Sequence, residues 1–152
     1  MILVSACLVG INCRYDGSNS INDEIIKKFK AEGFIPVCPE QLGGLPTPRP
    51  SSSIQNGTGE EVVAGKVKVV DVNEKDVTKE FLKGAQEALK IARLAGAKKA
   101  ILKENSPSCG VKFTNSSFKK INGPGVFTSM LRIEGIKTFS EYNFQNKGIP
   151  VK

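Results

Sequence analysis

Short apolar runs alternate with amphipathic stretches along this chain. Runs that are typical of buried strands occupy residues 1–6 (MILVSA), 34–38 (FIPVC), 98–104 (KKAILKE) and 136–141 (IKTFSE). Apolar residues at helical spacing occupy residues 20–33, 76–95 and 123–135. Strands that alternate with helices predict an α/β fold, in which a mostly parallel sheet carries helices on its faces.

Three local features add detail to this prediction. Ser20 stands before the first helix in the position of an N-cap, with Asp23 three residues later. The segment after Cys38, PEQLGGLPTPRPSSS, contains four prolines and predicts no regular structure. Residues 54–75, in which valines alternate with lysines after a glycine, predict a small β-hairpin that leaves the main sheet.

Length and charge limit the class of protein. A chain of 152 residues can form one domain with its own core, which we expect at residues 1–141 with a C-terminal tail at residues 142–152. The 22 Lys and Arg exceed the 15 Asp and Glu, and a net charge of +7 favours anions such as nucleotides or RNA unless the basic residues are simply solvated. Trp is absent, which argues against a stacking platform for single-stranded nucleic acid.

The N-terminus does not resemble a targeting segment. Only six residues precede Cys7 and none is basic, so we expect no signal peptide. No stretch reaches the roughly 18 apolar residues of a membrane span. We therefore expect a cytoplasmic protein without a membrane partner. In a reducing cytosol, four cysteines indicate metal ligands or catalytic thiols rather than disulfides.

Cys7, Cys38 and Cys109 each lie at or just after a predicted strand. Because the carboxyl ends of parallel strands share one rim, these thiols meet if the three strands are neighbours. Thiolates suit zinc or an iron-sulfur cluster. A structural zinc site takes four ligands, usually in close pairs, and Cys13 is the only further thiol, whereas three ligands on a cubane cluster leave one iron open. The alternative is a set of buried inert thiols.

The absence of His restricts acid and base chemistry to carboxylates, Lys, Tyr, Cys or water. Glu40, two residues after Cys38, is a candidate general acid or base, and its alternative is an exposed loop residue. Ser106 and Ser108 stand beside Cys109, where their hydroxyls can hydrogen-bond a cluster sulfur or a substrate, or can cap a turn.

Five motifs, in order, give the chain a family resemblance: SACLVGINCRYDG, CPEQLGGLPTPR, DVTKEFLKGAQEAL, LKENSPSCG and GPGVFTSMLRIEGIKTFSE. They resemble the TudS-type thiouracil desulfidase family over residues 1–141. The resemblance implies a single Rossmann-like domain that holds a 4Fe-4S cluster on Cys7, Cys38 and Cys109, with one iron not ligated by protein. It also implies that Cys13 is not a ligand.

The reaction that this resemblance implies is the removal of sulfur from a thiolated pyrimidine such as 2-thiouracil, by non-redox hydrolysis at the open iron. Glu40 then delivers or accepts protons, and Ser106 orients the ring or holds its developing charge. Phe127 departs from the family pattern, in which a small polar residue is expected after the GPGV segment.

Substrate size depends on the proline-rich loop, which leaves the strand of Cys38 and is expected to form a wall of the crevice. Arg49 on this loop is a candidate for binding an anionic or carbonyl group of the ligand, and its alternative is a structural pair with a carboxylate. A small thiolated pyrimidine or nucleoside is favoured over thiouridine in tRNA. A cysteine-ligated module that binds metal or sulfide without turnover is the remaining alternative.

Overall fold

The helices and strands follow one another in the alternating order that the hydrophobic pattern predicts. A computed structural model describes residues 1–145. Its elements are β1 (Ile2–Ser5), a 3-10 turn (Ala6–Val9), α1 (Asp23–Phe29), β2 (Phe34–Val37), α2 (Pro39–Leu42), β3 (Ser52–Ile54), α3 (Gly59–Val63), β4 (Val69–Asp71), α4 (Thr78–Ala95), β5 (Lys99–Leu102), β6 (Phe113–Ser116), β7 (Lys119–Asn122), α5 (Val126–Ile133) and β8 (Lys137–Ser140).

The main sheet has the strand order β2-β1-β5-β8, and each neighbouring pair is parallel. Leu3 pairs with both Ile35 and Ala100, which places β1 between β2 and β5. The three strands that lead to the conserved-spacing cysteines of the prediction are therefore neighbours, with their carboxyl ends at one edge. The predicted α/β class and parallel sheet are confirmed.

Helices cover both faces of the main sheet because alternate strand residues point to opposite sides. Leu3 on β1 belongs to the larger apolar cluster, together with Phe81 and other residues of α4 and α5. Its neighbours Ile2 and Val4 belong to a second cluster, which contains Ile25 from α1. The two clusters form the core on the two sides of the sheet, as predicted for helices on both faces.

A second sheet replaces the predicted small hairpin. Its strand order is β4-β3-β6-β7, in which β4 pairs antiparallel with β3 and β6 forms a hairpin with β7. The prediction of a hairpin centred on the glycine of residues 54–75 is wrong, because the residues before Gly65 form α3. Thr58 and Glu61 make a reciprocal capping box that starts this helix. The β6–β7 hairpin was not predicted.

Two helix starts also differ from the prediction. Asn22, rather than Ser20, is the N-cap of α1, and its side chain accepts hydrogen bonds from the backbone N–H groups of Glu24 and Ile25. The proline-rich segment begins with α2, although no regular structure was expected there. Pro39 occupies the first turn of α2, where a missing N–H costs no helical hydrogen bond.

Part of the predicted tail lies against the main sheet. Phe144 is buried and its ring packs against Phe29 of α1, with the ring centroids 6.2 Å apart. Residues 146–152 of the tail lie outside the described residues, so the domain bounds stay a prediction. Phe127, which departs from the family pattern, is fully buried in the larger core cluster. Among the described residues, no helix is long and apolar enough to cross a membrane.

Candidate active site

A cavity of about 360 Å³ lies at the carboxyl ends of β1, β2 and β5. The main sheet contributes the turns and loops that follow these three strands. The second sheet contributes Ser52 from β3 and Asn115 from β6 to another part of the wall. The cavity therefore lies between the two sheets, and neither sheet encloses it alone.

The cavity brings together the three cysteines of the prediction. Cys7 lies in the turn after β1, Cys38 is the N-cap residue of α2 directly after β2, and Cys109 lies in the loop after β5. All three are free thiols, and Cys7 and Cys109 are buried while Cys38 is half-buried. Their convergence follows from the strand order, because three adjacent parallel strands end at one edge.

Cys13 also borders this cavity and touches two of the other thiols. It is buried, and the Cys38 thiol points at its carbonyl oxygen over 3.8 Å. A hydrogen bond with Cys38 lowers the pKa of the Cys13 thiol, but a hydrogen bond with Cys7 and burial outweigh it and raise this pKa to about 11. Cys13 is thus a neutral thiol beside the predicted ligands.

Burial and mutual contact keep the other thiols protonated in the cluster-free protein. The pKa of Cys38 is raised well above its ordinary range by its hydrogen bond with Cys13 and by burial. Burial raises the pKa of Cys109 to about 12, and the nearby Cys38 and Glu40 add to the increase. A bound metal would reverse this balance, because coordination deprotonates a thiol.

Glu40 lies on α2, one turn of chain from Cys38, and its carboxylate lines the cavity. Its side chain is 14% exposed. Arg49 Nε donates to Oε1 over 3.1 Å, and Ser108 Oγ donates to Oε2 over 3.0 Å. The predicted acid or base is therefore held by a cation on one side and by a hydroxyl on the other.

Arg49 is nearly buried, with 4% of its side chain exposed. Besides Glu40, its guanidinium donates to Thr47 Oγ1 and to the carbonyl oxygens of Pro46 and Cys13, the last over 2.9 Å. Four of its five N–H donors thus have protein acceptors. These contacts favour the alternative in which Arg49 holds the loop, and its role in substrate binding stays a prediction.

A chain of hydroxyl groups runs from Ser106 to Glu40. Ser106 Oγ accepts hydrogen bonds from the N–H groups of Ser108 and Cys109, at 3.2 and 3.0 Å. Its own proton is free to point to Ser108 Oγ, 3.2 Å away, which in turn donates to Glu40. Ser106 therefore caps the turn that positions Cys109, and it is also connected to the carboxylate.

Sequence reasoning missed Glu104, a buried residue in the cavity wall. Its carboxylate accepts backbone hydrogen bonds from Val111, Lys112 and Phe113, at 2.6 to 3.2 Å. These bonds fold the loop that carries Cys109 back onto the end of β5. The signal was an acidic residue at the end of an apolar strand, which the pattern does not distinguish from an exposed strand end.

Comparison with known proteins identifies the family. A family model described as 2-thiouracil desulfurase matches residues 2–143. The chain belongs to the 2-thiouracil desulfurase family. The resemblance predicted from the sequence motifs is confirmed, and so is the expected class of enzyme.

Two relatives of this family match almost the whole chain. The uncharacterized protein YbbK of Bacillus subtilis (strain 168) is 45% identical over 144 residues, which cover 93% of this chain and 95% of that protein. A solved structure described as the 4Fe-4S-dependent thiouracil desulfidase TudS is 41% identical, with a TM-score of 0.82 over 95% of this chain and 92% of that chain. The thiouracil desulfurase fold is therefore shared along the described chain.

The donor set fits an iron-sulfur cluster better than a single ion. Within residues 1–145, no three His, Cys, Asp or Glu side chains converge closely enough to hold one metal ion. A cluster takes one thiolate on each of several irons, so its protein ligands surround it instead of meeting at a point. Cys7, Cys38 and Cys109 around one cavity have this arrangement and supply soft sulfur ligands.

Proposed function

We propose that this protein is an iron-sulfur-dependent desulfidase that removes sulfur from thiolated pyrimidines such as 2-thiouracil, by hydrolysis without net redox change. Cys7, Cys38 and Cys109 are the ligands of a 4Fe-4S cluster in which one iron has no protein ligand. The observation that carries this proposal is the meeting of three thiols from three separate strand ends with a carboxylate in one cavity. Membership of the 2-thiouracil desulfurase family supports it.

Glu40 is the proton-transferring group of the proposed reaction. When bound, the cluster supplies a Lewis acid that polarises the thiocarbonyl bond. Glu40 accepts a proton from the water that adds to the ring carbon, and it returns a proton to the ring as the sulfur leaves. Its contacts with Arg49 and Ser108 fix the carboxylate without neutralising its charge.

Ser106 and Ser108 orient this machinery. Ser108 Oγ lies between Glu40 and the Cys109 sulfur, at 3.0 and 3.8 Å, so it links the carboxylate to a ligand of the cluster. Ser106 shares its proton with Ser108 and holds the turn of Cys109. We infer that the ring is positioned against this pair of hydroxyls.

A free base or small nucleoside is the proposed substrate, in preference to tRNA. The cavity of about 360 Å³ has the size of a small-molecule site. Titration of free thiouracil and of thiolated tRNA over a range of salt concentrations tests this choice. Turnover of thiouracil alone supports it. Tight, salt-sensitive tRNA binding with sulfur loss from the tRNA would overturn it, since phosphate contacts weaken steeply with salt.

The cluster is tested by anaerobic reconstitution, followed by an absorption spectrum and a sulfide-release assay with thiouracil. Each of the changes Cys7→Ser, Cys38→Ser and Cys109→Ser should abolish the brown chromophore. Cys13→Ser is the matched control, because Cys13 lies in the same cavity and should retain the chromophore. Equal loss of colour in Cys13→Ser would contradict the proposed ligand set.

The role of Glu40 is tested by Glu40→Gln, which preserves the shape of the side chain and removes its titrating group. We expect the variant to keep its cluster and its thiouracil binding but to lose turnover by a factor of about 100 or more. Full activity would remove Glu40 from the mechanism. The change Ser106→Ala should have a smaller effect, about tenfold in rate, because it removes neutral hydrogen bonds.

A further inference from the structure

Asn115 lies on β6, in the part of the cavity wall that the second sheet provides, and the proposed chemistry does not use it. We propose that Asn115 is a substrate-binding residue, which donates a hydrogen bond from Nδ2 to the carbonyl oxygen that a thiolated pyrimidine retains beside its sulfur. This inference rests on the proposed function, because it names the part of the site that recognises the rest of the ring.

The hydrogen bonds of Ser53 fix the orientation of the Asn115 amide. Ser53 Oγ accepts a hydrogen bond from the backbone N–H of Phe118 over 2.7 Å. Its single proton then goes to Asn115 Oδ1, which is 2.6 Å away, in preference to the Ile54 carbonyl at 3.5 Å. The oxygen of the amide is thereby committed to the protein, and Nδ2 is left as the group that faces away from Ser53.

Nδ2 carries two N–H donors, and none of them has a hydrogen-bond acceptor among the described residues. The amide is half-buried in the cavity wall and is accessible from the cavity rather than enclosed in the core. A polar donor that is held in place and left without a protein partner is available to a ligand. An apolar ligand would leave it unpaired, whereas a carbonyl oxygen would satisfy it.

The backbone around Asn115 is rigid on both sides. Asn115 pairs with Lys120 of β7, and the next residue, Ser116, pairs with Ile54 of β3. The side chain therefore stands on a strand that is bonded to two neighbours, so little conformational freedom is lost when a ligand binds. This placement gives the donor a fixed direction toward the cavity.

The chemistry of a thiolated pyrimidine matches the two parts of the wall. The cysteines and their proposed cluster are soft and accept the sulfur. A ring carbonyl is a good hydrogen-bond acceptor, and the Asn115 amide supplies the donor. Sulfur is a poorer acceptor than oxygen, so Asn115 favours a ring with one sulfur and one oxygen over a ring with two sulfurs.

The experiment compares uracil binding and thiouracil turnover in three variants of the reconstituted protein. Asn115→Asp keeps the acceptor for Ser53 and replaces the donors, and Asn115→Ser removes the donors without adding charge. Asn122→Asp is the matched control, since it places the same charge on the exposed strand of the same hairpin, outside the cavity wall. Uracil binding is measured by ligand-observed NMR, and iron and sulfide content are measured for each variant.

We expect both Asn115 variants to keep their cluster, to bind uracil roughly tenfold more weakly and to raise KM for 2-thiouracil by a similar factor, with kcat changed much less. The loss should be smaller for 2,4-dithiouracil, and Asn122→Asp should behave as wild type. Unchanged uracil binding in both variants would overturn the inference, as would a loss that accompanies loss of the cluster or that occurs equally in the control. If wild type binds uracil through Asn115 but releases no sulfide, the inference stands and the proposed function fails.

Discussion

The change Arg49→Met tests whether Arg49 is a structural residue or a substrate ligand. The Arg49 side chain is 4% exposed and pairs with Glu40, of which 14% is exposed. Removing one partner of such a buried pair leaves the other charge without compensation, which costs about 3–5 kcal/mol. The hydrogen bonds to Pro46, Thr47 and Cys13 are lost as well. We therefore expect the free energy of unfolding to fall by at least about 3 kcal/mol.

Urea denaturation of the cluster-free protein measures this change without any contribution from substrate or metal. Arg93→Met is the matched control, because Arg93 also forms an ion pair, with Glu134 at 2.7 Å, but on the exposed surface. The exposed pair should contribute much less to stability than the buried pair. The double variant Arg49→Met with Glu40→Gln should recover part of the loss, since it removes both charges of the buried pair.

The substrate-binding role of Arg49 predicts a different pattern. If Arg49 mainly binds ligand, Arg49→Met changes the free energy of unfolding by less than about 1 kcal/mol and raises KM for thiouracil with kcat unchanged. That result would refute the structural reasoning. A large loss of stability with no recovery in the double variant would also refute it, because the pair with Glu40 could not then be the cause.

Two further predictions concern packing and titration. Gly84→Ala should destabilise the protein by about 1–3 kcal/mol in urea denaturation, because a Cβ on Gly84 of α4 would collide with the carbonyl of Pro39 on α2, whereas Ala substitution at the exposed Lys83 should be nearly neutral. Burial raises the pKa of Cys109 from 9.0 to about 12, so the cluster-free protein has this contribution to stability in full below pH 9 and loses it as the pH rises toward 12. Denaturation at pH 8 and at about pH 11 should show a smaller loss for Cys109→Ala, and equal losses would contradict the assignment.

The sequence alone determined the alternation of strands and helices and the positions of the candidate ligands. Apolar runs of four or five residues can only be buried strands when helices separate them, so β1, β2, β5 and β8 were predicted close to their observed bounds. Cys7, Cys38 and Cys109 were identified because each follows such a strand. In a parallel sheet, position along the chain translates directly into position at the edge.

The second sheet was decided by tertiary structure. Its strands have three or four residues, and polar side chains are frequent in β6 and β7, so no hydrophobic period marks them. Ser53 and Asn115 are 62 residues apart, and only the pairing of β3 with β6 brings them into contact. The wall that carries Asn115 therefore had no signal in the sequence.

The roles of the polar residues also depended on the fold. The sequence placed Arg49 and Glu40 near the same loop, but it could not choose between a substrate contact and an ion pair, since both use the same guanidinium group. The cis Thr47–Pro48 peptide and α2 set the path of that loop, and this path decides where the guanidinium lies. Short-range pattern thus fixed which residues reach the edge of the main sheet, while long-range packing fixed which atoms meet there, because hydrogen-bond partners distant in sequence leave no periodic trace.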